Sequence, residues 1–245
     1  MSDPKPFRIA AASDLHYTKS SRGHLHKLFE EASAAADVLL LCGDLTDYGL
    51  PEEAQVLAED IRTYATIPIL AVLGNHDFES AHAPEVQRIV EEAGVKVLDG
   101  ESVEIGGVGF AGVCGFGGGF GALMLSPWGE PIIKAFVQEA IDHAVRLERA
   151  LGRLTTRHRV ALLHYSPLRE TVEGEHLEII PFLGSSRLEG PLNRLEVTVA
   201  FHGHAHNGAP AARTHSNVPV FNVSLPVLAK TQPEQPFFRL YELPG

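Results

Sequence analysis

The 245-residue sequence predicts an α/β fold, and three observations predict it. First, stretches at 7–13, 36–42, 67–73, 159–163 and 197–201 are largely or wholly apolar, the signature of strands buried on both faces. Second, segments with apolar residues at helical spacing separate the first three runs. Third, the runs lead into Asp14-Leu15-His16, Gly43-Asp44, Gly74-Asn75-His76-Asp77, His164 and His202-Gly203-His204-Ala205-His206. Ligands in open α/β sheets gather outside the carboxyl ends of the strands, so these endings predict one shared site. Asp44 closes the most apolar run, and the other groups read as brought to meet its carboxylate.

The elements follow in order. After the first strand comes a polar loop at 17–23, then a helix at 24–36 with Leu25, Leu28, Phe29 and Ala32 on one face. Pro51 suits the first turn of a helix at 52–64, and Glu52 and Glu53 stand at its positive end. The third strand, 67–73, precedes a helix at 84–93. Short strands at 95–98, 103–105 and 108–113 are separated by Asp99-Gly100 and Gly106-Gly107, turn dipeptides of the hairpin kind that predict antiparallel pairing. A glycine-dense loop at 115–121 leads to a long helix at 130–151 whose Ile133, Phe136, Val137, Ala140, Ile141, Ala144 and Leu147 form one apolar face. Between the last two ligand-bearing strands, Ser186 and Glu189 have capping-box spacing and predict the start of a short helix. Strands at 218–223 and 237–243 close the chain.

Length suits a single domain over 1–245, and no linker forces a split. A formal charge of −11 argues against an extended nucleic-acid partner, because polymer binding draws its affinity from Lys and Arg on phosphates. A small anionic substrate stays open, since cations at one locus reverse the field there. Cys42 and Cys114 lie in apolar stretches without CxxC spacing and read as buried free thiols of a reducing compartment. No apolar core long enough for a signal peptide precedes Asp14, and the uncharged stretch 106–129 is too rich in glycine for a membrane span. A cytoplasmic, non-membrane protein is therefore expected; its oligomeric state is not legible.

Asp, Asn and several His without cysteine make a ligand set of intermediate hardness that suits Mn, Fe, Zn or Co. Asp14 and His16, like His204 and His206, are spaced to point the same way from an extended segment, so each pair reaches one ion or two adjacent ions. The ordered series Asp-x-His, Gly-Asp, Gly-Asn-His-Asp, His and Gly-His-x-His, running from Asp14 to His206, resembles the calcineurin-like metallophosphoesterases. That resemblance implies two mixed β-sheets packed face to face and flanked by helices, a four-layer α/β/β/α sandwich. It also implies two divalent or mixed-valence transition-metal ions, Mn or Fe before Zn or Co. One ion would be held by Asp14, His16 and His206, the other by Asn75, His164 and His204, with Asp44 bridging both. His202 falls outside the family pattern and reads as a core residue; His24, His26, His143, His158 and His215 read as surface or helix residues.

The chemistry that follows is in-line attack of a metal-bridging hydroxide on a phosphoester. His76, pointing away from Asn75 on an extended backbone, would face the leaving group as general acid or donor. In relatives the carboxylate three residues after the bridging aspartate orients this histidine, and here that position is Asp47. Purple acid phosphatases carry a tyrosine at that position, whereas Tyr48 falls one residue late. Protein serine/threonine phosphatases carry Gly-Asp-x-x-Asp-Arg-Gly, and Asp47-Tyr48-Gly49 lacks the arginine. The remaining similarity is to bacterial cyclic-nucleotide phosphodiesterase-like proteins, through Gly43-Asp44-Leu45-Thr46-Asp47. A small phosphodiester is thus the expected substrate, with a phosphomonoesterase, a nuclease or a catalytically silent protein-binding scaffold as alternatives. Substrate-shaping loops are expected at 17–22, 79–84, 115–128 and 166–194, where Arg22, Arg169 and Arg187 are candidate phosphate contacts that read more readily as solvated arginines.

Overall fold

The computed structural model describes residues 6–233 and 236–243, so the N-terminal reading over residues 1–5 lies outside the described residues. Strands β1 (Arg8–Ala12), β2 (Val38–Cys42), β3 (Ile69–Val72) and β4 (Val95–Val97) pair in parallel, and β11 (Arg239–Glu242) joins β1 antiparallel. A second sheet has the order β5-β6-β7-β8-β10-β9, from Glu101–Ile105, Val108–Val113, His158–Leu163, Val199–His202, Pro219–Asn222 and Ala211–Arg213. Both sheets are mixed.

Alternate residues of the apolar runs go to opposite layers. Ile9, Ala11, Val38, Leu40, Leu70 and Val72 meet Phe110, Val160, Leu162, Val199 and Phe201 between the sheets. Their neighbours Ala10, Ala12, Leu39, Leu41, Ile69 and Ala71 pack outward on helices α1 (His26–Ala35), α2 (Pro51–Tyr64) and α3 (Ala83–Glu92). Ala111, Val113, Ala161, Leu163 and Ala200 likewise pack on α4 (Pro131–Gly152) and α5 (Glu189–Arg194). A strand with an apolar layer on each face cannot alternate with polar residues, which is why the runs are unbroken. The result is the expected face-to-face sandwich.

Two expectations need correction. β4 does not form a hairpin with β5: it pairs in parallel with β3, and Asp99-Gly100 carries the chain from one sheet to the other. Gly106-Gly107 does close a hairpin, between β5 and β6. Ser186 does not cap α5; its Oγ accepts the Gly121 N–H at 3.0 Å, and Glu189 turns to His215 Nδ1 at 2.9 Å. His143, read as a surface or helix residue, lies on α4 with its side chain buried. The short β9 and helix α6 (Leu225–Thr231) had no sequence expectation. Cys42 and Cys114 are buried free thiols, as expected.

Candidate metal centre

Every proposed ligand lies just beyond a strand end, where the backbone leaves the sheet. Asp14, His16, Asp44 and His204 all adopt left-handed conformations, with φ of 60°, 45°, 49° and 68°. Non-glycine residues enter that region at a cost, and such strain concentrates where surrounding structure imposes it for function. The expected extended segments, with Asp14 and His16 or His204 and His206 pointing the same way, are therefore absent. His76 likewise lies on a 3₁₀ turn, His76–Phe78, rather than on extended chain.

The chain nonetheless brings the side chains together in groups. Asp14, His16 and His206 offer ligand atoms within 4.8 Å of one another, as do Asp44, His164 and His204. His206 Nε2 is 2.9 Å from Asp14 Oδ1, and the His16 and His206 rings meet edge to face at 5.4 Å. Asp44 lies between the groups: Oδ1 is 3.3 Å from His164 Nε2, and Oδ2 is 3.9 Å from His16 Nε2. The glycines of the motifs make this approach feasible. A Cβ on Gly74 would land on the Asp44 carboxylate and against the His164 ring.

The donor chemistry fits a cation. His164 Nδ1 donates to the Cys42 carbonyl at 2.9 Å, so in the neutral ring Nε2 carries only a lone pair. That lone pair faces Asn75 Oδ1 at 2.9 Å and Asp44 Oδ1 at 3.3 Å. Asp44 is an acceptor whichever way the Asn75 amide is turned. Acceptors facing acceptors need a proton or a metal between them. Burial first, then the charges of Asp14 and Asp77, pushes Asp44 up to about 8, so without a cation a proton fills the gap near neutral pH. Both ring nitrogens of His16 are shielded from water without a hydrogen-bond partner, although Nδ1 is 3.2 Å from Asp47 Oδ1.

Charges sort the histidines. Burial holds His16 and His164 below the usual imidazole value and takes His204 down to about 3, so their lone pairs are free at neutral pH. His206 moves up instead, because it hydrogen-bonds Asp14. Burial would raise Asp14, but that hydrogen bond and the nearby His164 and His206 keep its carboxyl well below the usual range.

Asp47 differs from expectation. Its carboxylate faces His16, while its backbone carbonyl accepts from His76 Nδ1 at 2.6 Å. The His76 ring lies edge to face with His16 at 4.6 Å. His202 joins neither group: its Nε2 and Nδ1 meet Thr171 Oγ1 and the Gly203 carbonyl at 2.9 and 2.8 Å. Tyr17, in a loop expected to shape the substrate, is buried with its hydroxyl on Asp60 at 2.8 Å. Arg22 pairs with Glu59 at 3.2 Å, and Arg187 donates to the Leu125 carbonyl at 2.6 Å.

Sequence reasoning assigned no role to Asp77. It is buried and accepts from the backbone N–H of Leu45, Thr46 and Gly74 and from Thr46 Oγ1, at 2.6–3.1 Å. One carboxylate thereby ties the loop after β2 to the loop after β3, and its place in Gly-Asn-His-Asp was the available signal. Tyr165, directly after His164, lays its ring 4.4 Å from His204.

A profile of the family described as calcineurin-like phosphoesterase matches residues 7–208. No curated protein matches the chain. Among solved structures, the phosphopantetheinyl hydrolase of Mycobacterium tuberculosis superposes with a TM-score of 0.68 at 16% identity, over 96% of each chain. A putative 5'-nucleotidase from Staphylococcus aureus, solved with α-ketoglutarate, gives 0.55 at 16% identity, over 89% of this chain and 48% of that one. A Thermus thermophilus protein gives 0.52 at 18% identity, over 97% and 99%. At these identities the likeness establishes the fold.

Proposed function

The chain belongs to the calcineurin-like phosphoesterase family, whose chemistry is phosphoester hydrolysis, and on that premise we propose that it cleaves a small phosphodiester, such as a cyclic nucleotide, using two transition-metal ions. The observation that carries this reading is Asp44, whose two oxygens face the two histidine groups while acceptor meets acceptor at His164. Asp14, His16 and His206 would hold one ion and Asn75, His164 and His204 the other, with Asp44 shared. When bound, such ions lower the pKa of water towards neutrality and neutralise phosphoryl charge.

The remaining work falls to the chain. His76 is held through Nδ1 by the Asp47 carbonyl, so Nε2 of the protonated imidazolium would be the atom that donates to the leaving group or to a phosphoryl oxygen. Its backbone N–H donates to Asp44 Oδ1 at 2.9 Å and so keeps that carboxylate aimed. Asp77 fixes the two loops that carry Asp44 and Asn75. The acidic balance favours a small substrate over a polyanion.

A panel of phosphoesters assayed with Mn, Fe, Zn and Co added separately tests this. Hydrolysis of a chromogenic diester or cyclic nucleotide above monoesters and single-stranded DNA or RNA is expected. Faster cleavage of long polynucleotides, with steep loss of affinity in salt, would replace this reading with a nuclease. Absence of bound metal and of turnover under every condition would leave a binding scaffold.

A further inference from the structure

A cavity of about 260 Å³ opens between α3, α4 and the end of β4, and none of the candidate metal ligands lines it. Its floor is apolar and uncharged, with Leu73, Leu98 and Cys114 beside His143. Burial first, then nearby Arg146, takes the His143 imidazole down to about 4, so the ring is neutral at neutral pH. His143 Nδ1 accepts the Gly115 N–H at 3.2 Å, which places the ring proton on Nε2, 3.1 Å from Glu139. Phe116 lies nearly parallel to that ring at 6.3 Å.

The mouth is polar. Arg146 pairs with Asp99 at 2.8 Å and with Glu139 at 3.4 Å, two carboxylates against one guanidinium, and its buried Nε has no hydrogen-bond partner. The balance disfavours an anion. An apolar hollow with a few converging polar groups is the usual form of a small-molecule site. A cavity of about 150 Å³ lined by Leu, Ile and Phe holds benzene, so this one has room for two fused rings.

We infer that this cavity is a binding site, separate from the metal centre, for an uncharged two-ring aromatic or heterocyclic group. Leu73 and Phe78 bracket Asn75 and His76, and both contribute to its wall. The Cys114 carbonyl accepts the N–H groups of both His164 and Tyr165 at 2.9 Å. An occupant therefore packs against the reverse side of the segments that carry candidate ligands. The site stands whether or not the chain is a diesterase.

The probe is quinoline, an uncharged two-ring group above pH 7, titrated calorimetrically into the full chain. It should saturate a single site, while quinoline-2-carboxylate binds about tenfold or more weakly. Gln87→Trp, which fills the mouth from half-buried α3, should weaken quinoline by about tenfold or more without changing thermal unfolding. Val97→Phe fills the floor and decides the matter if Gln87→Trp fails to fold. Added Mn with inorganic phosphate should leave quinoline affinity unchanged. The inference is overturned by absence of saturable binding, by equal binding in folded filling variants, by tighter binding of the carboxylate, or by competition from phosphate.

Discussion

Asp44 carries two opposed demands: it is buried against Asp14 and Asp77, yet its oxygens face two histidine groups. A negative charge there is tolerated only beside cations. Asp44→Asn should therefore abolish tight binding at both sites, whereas His206→Ala should disturb mainly one ion; elemental analysis of the purified variants measures this. Two tightly bound ions and normal turnover in Asp44→Asn would remove the shared role. His76 clusters with His16 and Asp47 but with neither set of proposed ligands, so a variant can separate proton donation from metal holding. His76→Ala should keep both ions and lower turnover about 10²–10⁴-fold on alkoxide-leaving substrates, with a smaller loss on nitrophenolate, which needs little protonation. Because the Asp47 carbonyl holds His76, Asp47→Asn should preserve that leaving-group dependence. A defect in Asp47→Asn matching that of His76→Ala would show that the carboxylate does the orienting.

At the scale of elements, the loops after β2 and β3 hold their shape through Asp77. Three backbone N–H groups and one hydroxyl converge on it inside the protein, where an unpaired donor costs about 1–3 kcal/mol. Asn at this position retains one acceptor oxygen and turns an NH₂ group towards donors. Asp77→Asn should therefore lower stability by about 2–4 kcal/mol, read as an earlier urea midpoint at unchanged slope. A midpoint equal to wild type would mean that the two loops are held independently.

Over the whole molecule, the buried histidines outside the metal groups make stability pH-dependent. Burial takes both His143 and His202 from 6.5 down to about 4, so the folded state prefers each ring neutral while the unfolded chain protonates it below about 6.5. Between those values the unfolded state binds more protons, and stability rises with pH. The contribution is fully present above pH 6.5 and is lost as the pH falls towards 4, on the order of 3 kcal/mol per ring. Urea unfolding from pH 7.5 to 4.5 should show this loss, and His143→Gln, which cannot protonate, should reduce it. An identical pH slope in the variant would exclude His143 as a source.

The unbroken apolar runs and their polar endings were legible in the sequence, because burial on both faces is written into consecutive residues and ligand type into a few positions. Asp14, His16, Asp44, Asn75, His164, His204 and His206 stood out as candidate ligands one strand end at a time. What they do to one another could not. The partner of β4 depends on the edge β3 leaves open, which no local turn signal encodes. Side-chain direction at Asp14, His16 and His204 follows from left-handed backbone that long-range contacts impose, such as the His204 N–H bonded to Asp14 at 3.1 Å across the sheets. Asp47 offered its carbonyl rather than its carboxylate to His76, and His143 turned inward to floor a cavity, because packing between elements far apart in the chain decided which atoms face each other.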